Sequence, residues 1–176
     1  PGALKVSLDE ELNRTIPLIK ALREKSSIAI SIDTTKSEVA REALLAGANI
    51  INDVSGFQLD PNMGLVAKEL EAGCALMHMR GTADNMQELC NYEDLLTDIK
   101  SELSLSVNSL LSLDIKKGQL VIDPGIGFSK TAEQNIELMK NLSEFHSLDY
   151  PTLLGTSRKS FIGYILNESK AQDRFW

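Results

Sequence analysis

The sequence predicts an α/β fold in which strands and helices alternate along the whole chain. Five short, largely β-branched runs alternate with helical patterns, which is typical of a parallel sheet with right-handed crossover connections. Each of the five runs ends in polar or charged residues. The carboxyl ends of such strands face the ligand crevice or the barrel mouth of α/β proteins. The pattern therefore predicts a small-molecule site along one edge of the sheet.

The composition limits the class of protein. The 176 residues are 43% hydrophobic, which is enough to bury the core of one domain. The net charge of −7 argues against non-specific binding to nucleic acid or to an anionic membrane. Cys74 and Cys90 lack Cys-x-x-Cys spacing, so neither a disulfide nor a zinc site is indicated. Without a membrane-length apolar run, we expect a cytoplasmic protein whose partners are small molecules.

The first helix begins with a capping-box pattern. Ser7 and Glu10 have the spacing of this pattern, and apolar residues follow at helical intervals as far as Leu22. Pro17 interrupts the run and predicts a kink or a late start. The elements predicted after this helix are a strand at 28–32, a helix at 37–46, a strand at 48–51, a helix at 63–71 and a strand at 74–77.

The connection after the third strand is the longest. Residues 81–87 are polar and predict a mobile loop, and leucines at helical spacing predict a long amphipathic helix over 92–113. The remaining predicted elements are a strand at 120–122, a helix at 133–142, a strand at 152–154 and a helix at 160–167.

Two architectures fit this alternation: an open doubly wound sheet, or five strands of a (β/α)₈ (TIM) barrel. An open sheet concentrates its ligand groups at one switch point, whereas a barrel mouth takes a contribution from every strand. The polar strand ends therefore favour the barrel. A whole barrel takes about 250 residues, so we expect one truncated domain over 1–176, with about five strands and six helices. The strand-end residues are Asp33, Asn52-Asp53, His78, Asp123, and Arg158-Lys159.

Asp123 is the first candidate for a ligand contact. It directly follows the run at 120–122, and Pro124, Gly125 and Gly127 make the chain turn before the next helix. Asp-Pro-Gly is also a good turn by itself, in which the aspartate bonds to its own backbone, so a structural role stays open. The two glycines lack the third glycine and the distant acid of a dinucleotide fingerprint, which excludes nucleotide binding.

The other strand-end residues also have structural alternatives. Asp33 could cap the following helix, and Asn52-Asp53 could be a turn pair, with Asp53 ordering the loop. His78 suggests a metal ligand or a general base, but no second ligand stands at the required spacing, so a loop-orienting or packing role is favoured. Lys159 could lie free on the surface. In an acidic chain, however, its position beside another cation indicates an anionic or electron-rich ligand.

Five sequence motifs stand at the strand ends. They are Ser31-Ile-Asp-Thr-Thr-Lys36, Ile50-Ile-Asn-Asp-Val-Ser-Gly56, Leu76-Met-His-Met-Arg-Gly-Thr82, Ile122-Asp-Pro-Gly-Ile-Gly-Phe128 and Gly155-Thr-Ser-Arg-Lys-Ser160. Each motif is common by itself, but five in this order are highly specific. They resemble the motifs of the dihydropteroate synthase family, and the resemblance extends from Pro1 to Trp176.

The resemblance implies a transferase of folate biosynthesis and a sulfonamide target. Such an enzyme joins 4-aminobenzoate to 6-hydroxymethyl-7,8-dihydropterin pyrophosphate, and it releases pyrophosphate. The resemblance also implies that the first two strands and the last strand of the barrel are absent from this chain. It further implies a homodimer and a magnesium ion. The ligand residue for magnesium would belong to the N-terminal part that this sequence lacks, so no metal ligand is expected within it. Because most of the pyrophosphate half of the site would be absent, we expect this chain alone to be inactive or poorly active.

The resemblance also assigns roles to individual residues. Asp33 and Lys159 would be catalytic, with the Asp33 carboxylate stabilising the cation that develops as pyrophosphate leaves. A pterin presents a row of N–H donors, for which carboxylate and amide oxygens are the matching acceptors. The implied pterin contacts are Asp33, Asn52, Met77, Asp123, Gly155 and Lys159. The implied 4-aminobenzoate contacts are Phe128, Lys159 and Ser160.

Two other functions remain open at this point. A methyltetrahydrofolate-dependent corrinoid methyltransferase has a similar pterin-binding barrel, but Phe128 and the Ser-Arg-Lys-Ser motif at 157–160 favour the synthase. A non-catalytic pterin-binding relative is the third possibility. Such a protein has no physical need for Asp33, Asn52 and Asp123 together with Lys159, which argues against it.

Overall fold

The centre of the molecule is a parallel sheet of four strands, which lie side by side in chain order. This computed structural model describes residues 6–174, so the Pro1-Gly2-Ala3 start and the last two residues lie outside it. A doubly wound sheet reverses its strand order at a switch point. The uninterrupted order therefore favours a barrel segment. The strands are β1 (Ser31–Asp33), β2 (Ile50–Asp53), β3 (Gly73–Met77) and β4 (Leu120–Asp123).

The register of the sheet staggers the polar strand ends, since Asp33 and Asn52 are level with Val121 of β4, two residues before Asp123. Asp33 pairs with Asn52 across β1 and β2, and Met77 pairs with Asp123 across β3 and β4. Between these two pairs, Asn52 lies opposite Ala75 of β3. Since the four strands are parallel, all of their carboxyl ends share one edge of the sheet.

Six α-helices connect and flank the strands within residues 6–174, and each lies within a few residues of its predicted position. They are α1 (Leu8–Arg23), α2 (Ser37–Leu45), α3 (Met63–Glu69), α4 (Leu95–Ser112), α5 (Ala132–Lys140) and α6 (Ser160–Leu166). Their inner faces pack with the strands into one hydrophobic core, in which Ile51, Leu76, Leu103, Ile122 and Leu138 are fully buried. No helix in this part of the chain is both long enough and apolar enough to cross a membrane.

The fifth predicted strand, at 152–154, is only a single bridge, so the prediction of a full strand was wrong. Thr152 pairs in parallel with Ile122 of β4. The Ile122 N–H donates to Pro151 O at 3.0 Å, and the Leu153 N–H donates to Ile122 O at 2.8 Å. Pro151 has no N–H to donate, and within residues 6–174 no strand pairs with the far side of this segment. The segment nevertheless continues the sheet in chain order.

The first strand begins three residues later than predicted. Some backbone groups of residues 28–30 bond to side chains, and only the Ile30 carbonyl reaches β2, where it accepts the Ile50 N–H at 3.2 Å. Arg23 Nη1 donates to Ile28 O at 2.9 Å, and the Ile30 N–H donates to Asn49 Oδ1 at 3.0 Å. Regular pairing can therefore begin only at Ser31.

Pro17 does not delay the first helix, so the predicted late start was wrong. α1 begins at Leu8, and Ser7 Oγ accepts the Glu10 N–H at 3.3 Å. Pro17 lies on the exposed side of the helix. The carbonyl group that loses its partner because proline has no N–H can therefore bond to water.

The loop that we predicted to be mobile is anchored at its end. Asn85 Oδ1 accepts the Thr82 N–H at 2.8 Å. A single 3₁₀ turn follows at Met86–Glu88, and the Met86 side chain is buried. An apolar residue that the sequence places after a polar stretch thus fastens this connection to the body of the protein.

Candidate functional site

Asp33 and Asn52 form the first part of the site, at the ends of β1 and β2. Their side chains lie near each other, on paired residues of neighbouring strands. Although Asp33 is exposed as a residue, the surrounding protein removes enough water from its carboxyl group to raise its pKa. The nearby Asn52 side chain opposes this rise in pKa, and nearby Glu11 adds to it. A carboxylate and an amide therefore stand together at the edge of the sheet, open to a ligand.

Asp33 does not cap the next helix, so that structural alternative is wrong. The N-cap of α2 is Lys36, whose side chain makes no capping bond. Asp60 serves this helix end instead, since its Oδ2 accepts the Ser37 N–H at 2.7 Å. The Asp33 carboxylate is thus available for another role.

Asp53, next to Asn52, is turned into the protein. Its residue is fully buried, and its Oδ1 accepts the Ser55 N–H at 2.8 Å and the Ser55 hydroxyl at 2.7 Å. Burial raises its pKa, and the bonds from Ser55 oppose this. The contacts agree with the prediction that Asp53 orders the loop after β2.

Asp123 combines the turn role with an open acceptor. Its Oδ1 accepts the Gly125 N–H at 2.7 Å, while no donor among the described residues lies within hydrogen-bond distance of Oδ2. Burial raises the pKa of this carboxyl, and the Gly125 N–H and the charges of Lys159 and Lys130 oppose the shift. The two roles that the sequence left open are therefore compatible, because each uses a different oxygen.

Lys159 lies against the loop that follows β4, not free on the surface. Its Nζ donates to Ile126 O and lies 4.7 Å from the centroid of the Phe128 ring. Gly127 makes room for the lysine stem, since a Cβ there would lie 3.0 Å from Lys159 Cδ. Burial lowers the pKa of Lys159, and Asp123 opposes this shift. A cation, an aromatic face and a carboxylate thus meet beside β4.

The other residues predicted to contact the ligands have fewer direct interactions with the rest of the site. Met77 is buried at the end of β3, directly opposite Asp123. Gly155 has open space where a side chain would project. Ser160 is the exposed first residue of α6, next to Lys159 in the chain. The structure therefore groups Met77, Asp123, Phe128 and Lys159 around β4, with Asn52 two strands away and Asp33 three strands away.

Lys130 belongs to the site but was missed by the sequence analysis. Its side chain is 3% exposed, and Nζ donates to Gly125 O at 3.1 Å and to Phe128 O at 2.9 Å. It also lies 2.9 Å from His78 Nδ1. Burial lowers the pKa of Lys130 to about 7, against the opposing charges of Asp123 and Glu102. The available signal was a lysine directly after a loop of glycine and apolar residues.

The contacts of His78 agree with the loop-orienting or packing role that the sequence favoured. Its Nε2 lies 2.9 Å from Glu102 Oε2 of α4, so both ring nitrogens have protein partners. The bonds from His78 and Arg80 lower the pKa of Glu102 to about 2. Burial lowers the pKa of His78, which is consistent with a neutral ring. Within residues 6–174, no group of three or more His, Cys, Asp or Glu side chains could hold a metal ion.

The profile of the family described as pterin binding enzyme matches residues 1–176. The chain belongs to the pterin-binding enzyme family. This family member is 49% identical over 176 residues to the dihydropteroate synthase of Synechocystis sp., and the match covers 100% of the chain and 61% of the relative. It thus spans about three fifths of the length of that relative.

Two solved structures resemble this pterin-binding family member closely. One is a Yersinia pestis dihydropteroate synthase with a sulfonamide drug complex, with a TM-score of 0.94 and 38% identity, matched over 99% of this chain and 62% of that one. The other is a Xanthomonas albilineans dihydropteroate synthase with 4-aminobenzoic acid, with a TM-score of 0.91 and 34% identity, matched over 99% and 61%. This likeness confirms the fold prediction, since the chain forms part of a (β/α)₈ barrel.

Replacing Gly155 with alanine tests whether this residue lines a ligand slot. The added methyl group meets no atom within 4 Å, so we expect the unfolding free energy to change by no more than about 1 kcal/mol. If a pterin packs against this position, its affinity should fall by about 10-fold, because the methyl group enters its space. Calorimetric titration with pterin and urea unfolding of the same samples measure both quantities. Unchanged pterin affinity would remove Gly155 from the site.

Proposed function

We propose that this chain supplies the pterin and 4-aminobenzoate contacts of a dihydropteroate synthase. The observation that carries the proposal is the group around β4, where Asp123 has an unused oxygen beside a half-buried lysine and an aromatic ring. Synthases that resemble this chain over nearly its whole length support it. The substrates and the activity of the whole protein follow from this proposal.

The pterin ring would be held by acceptors at the strand ends. Its aminopyrimidine edge carries N–H donors, which match Asp123 Oδ2 and the Asn52 amide oxygen. A bond to an ionised acceptor is roughly twice as strong as a neutral one, so Asp123 would contribute most of the orientation. Lys159 would donate to the pterin carbonyl or a ring nitrogen, while Met77 and Gly155 would line the slot.

The reaction breaks one bond and forms another at the exocyclic methylene carbon. The C–O bond to pyrophosphate breaks, and its electron pair leaves with pyrophosphate. Positive charge then develops on the methylene carbon and spreads into the ring, where the fixed carboxylate of Asp33 stabilises it more than the neutral ground state. The amine of 4-aminobenzoate forms the new C–N bond and gives up a proton to solvent.

The 4-aminobenzoate would lie beside Phe128 and Lys159. The Phe128 ring offers an apolar face to the substrate ring, and the Lys159 ammonium already lies close to that face. The exposed Ser160 hydroxyl could donate to the substrate carboxylate. Sulfonamide drugs would compete for this same position.

Magnesium is not assigned to any residue of this chain. The described residues contain no cluster suited to a metal ion, so none of the steps above is routed through one. The family resemblance supports two further proposals, a homodimer and a cytoplasmic location. Sedimentation analysis and fractionation of the source cells would test them.

A chimaeric enzyme tests the proposed function directly. Residues 1–176 would replace the matching segment of the Synechocystis synthase, with that parent enzyme as the control. We expect the chimaera to form dihydropteroate from the dihydropterin pyrophosphate and 4-aminobenzoate with magnesium present. The 176-residue chain alone should bind pterin and turn over poorly or not at all. If the chimaera binds pterin but makes no dihydropteroate, the synthase proposal fails. Methyl transfer from methyltetrahydrofolate to a corrinoid would then identify the alternative enzyme.

A further inference from the structure

We infer that Lys130 is a positioning residue, which sets the spacing between Asp123 and Phe128 and so the fit of a molecule that spans both substrate positions. The inference deepens the proposed function and rests on it. Nothing in the family resemblance assigned a role to Lys130.

The Lys130 ammonium is fully engaged inside the protein. It has three N–H donors and three partners, which are Gly125 O, Phe128 O and His78 Nδ1. A buried charge is tolerated only when it is partnered in this way. No N–H of the ammonium group remains free to bind a ligand. Lys130 must therefore affect ligand binding through the two carbonyl groups and the histidine ring that it contacts.

The two carbonyls that Lys130 binds belong to the two ends of the turn after β4. The Gly125 peptide is fixed from both sides, since its N–H donates to Asp123 Oδ1 and its carbonyl accepts from Lys130. The Phe128 N–H also donates to Gly125 O, at 3.1 Å. One ammonium group thus ties the backbone next to the proposed pterin carboxylate to the backbone of the proposed aminobenzoate ring contact.

The support for Lys130 extends to α4. Because His78 Nδ1 accepts from Lys130, the ring proton lies on Nε2 and is donated to Glu102. Arg80 pairs with the same Glu102 carboxylate, and its backbone N–H donates to Ser129 Oγ at 2.9 Å. Ser129 lies within the same turn, so the network holds the turn at a third point. α4 is thereby coupled to the geometry of the site.

Lys130→Met tests this inference by comparing two ligands. Methionine fills most of the volume of the lysine stem but cannot bind the two carbonyls, so the turn loses its fixed spacing. We expect the 176-residue chain with this change to bind pterin within about threefold of the unchanged chain. Its affinity for pteroate, which joins the pterin and aminobenzoate parts, should fall by about 10-fold or more. Calorimetric titration with each ligand gives the two values.

Two further variants keep the test decisive. Lys140→Met removes an exposed lysine at the end of α5 and should change neither affinity. Glu102→Gln weakens the support of His78 while leaving the Lys130 ammonium in place, so it should produce the same selective loss to a smaller extent. If circular dichroism shows that Lys130→Met does not fold, the pterin and pteroate affinities of Glu102→Gln test the inference instead.

The outcomes separate this inference from the function on which it rests. Equal losses for pterin and pteroate, or no loss for either, would overturn the positioning role of Lys130 and leave the proposed function intact. If the unchanged chain binds neither ligand, the proposed function fails, and the inference fails with it.

Discussion

Asp123→Asn is expected to weaken the binding of pterin by about 10- to 100-fold, since a hydrogen bond to a charged group contributes roughly 1.5–3 kcal/mol. The free Oδ2 of Asp123 is the acceptor that the proposed function uses for the aminopyrimidine edge. Asparagine keeps the size of the side chain and can still accept the Gly125 N–H. However, it places an amide donor or a neutral oxygen opposite the pterin donors. Calorimetric titration of the 176-residue chain measures the change.

The loss should not come from unfolding. Burial raises the pKa of Asp123, so its ionised form lowers the stability of the folded state at neutral pH, and removal of the charge should maintain or increase the free energy of unfolding. Asp149→Asn is the matched control, because Asp149 is an exposed residue that pairs with Lys117 far from the strand ends. Pterin binding by Asp123→Asn equal to that of the control would remove Asp123 from the pterin site.

The carboxyl group of Asp123 also determines how pterin affinity should change with pH. A raised pKa means that Asp123 takes up a proton at a higher pH than an exposed aspartate does. Protonation removes a charged acceptor, so pterin affinity should begin to fall at a higher pH than the titration of an exposed aspartate would produce. Asp33, whose pKa is also raised, adds to this fall. Because Asp123→Asn cannot titrate at this position, only the Asp33 part of the pH dependence should remain.

Gly125→Ala is expected to lower the unfolding free energy by about 2–5 kcal/mol. Gly125 has φ of +74°, which is unfavourable for alanine, and the added Cβ would lie 2.0 Å from the backbone oxygen of His78. A backbone atom cannot rotate away as a side chain can, so β3 and the turn after β4 must separate. Urea denaturation followed by circular dichroism measures the loss.

Gly118→Ala is the control for this prediction. It lies on the exposed turn before β4, where an added Cβ meets no atom within 4 Å. Its unfolding free energy should change by no more than about 1 kcal/mol. Equal stability of the two variants would mean that the turn after β4 does not approach His78 as closely as described.

The positions where strands end could be predicted from the sequence because they are determined by residues that are adjacent in the chain. A β-branched run followed by Asp-Pro-Gly specifies both the end of β4 and the position of Asp123. Ser7 likewise predicted the start of α1 from its own hydrogen-bonding group. Such local signals explain why the alternation of strands and helices, and therefore the fold class, could be predicted from the sequence.

The remaining features depend on partners that are distant in the chain. Lys130 and His78 are 52 residues apart, so nothing near either residue indicates their contact. The extent of the strand at 152–154 was overestimated because β-branched or apolar composition does not reveal whether a second neighbour is available to pair. Likewise, the late start of β1 depends on Arg23 and Asn49, which compete for backbone groups that composition alone assigns to the sheet.

The chain-order sheet has a consequence for how the protein assembles. Ser31 pairs with Ile50, and Ile50 with Gly73, across similar separations, whereas Cys74 pairs with Leu120 across about twice that length. Loop-closure entropy rises with length, so the entropic cost of joining β3 to β4 is the largest of the three. Met77 and Asp123 meet only at that step. A ligand held by Asp123 would therefore stabilise the pairing with the largest entropic cost of these three, and in refolding experiments it should act mainly by slowing the separation of β3 from β4.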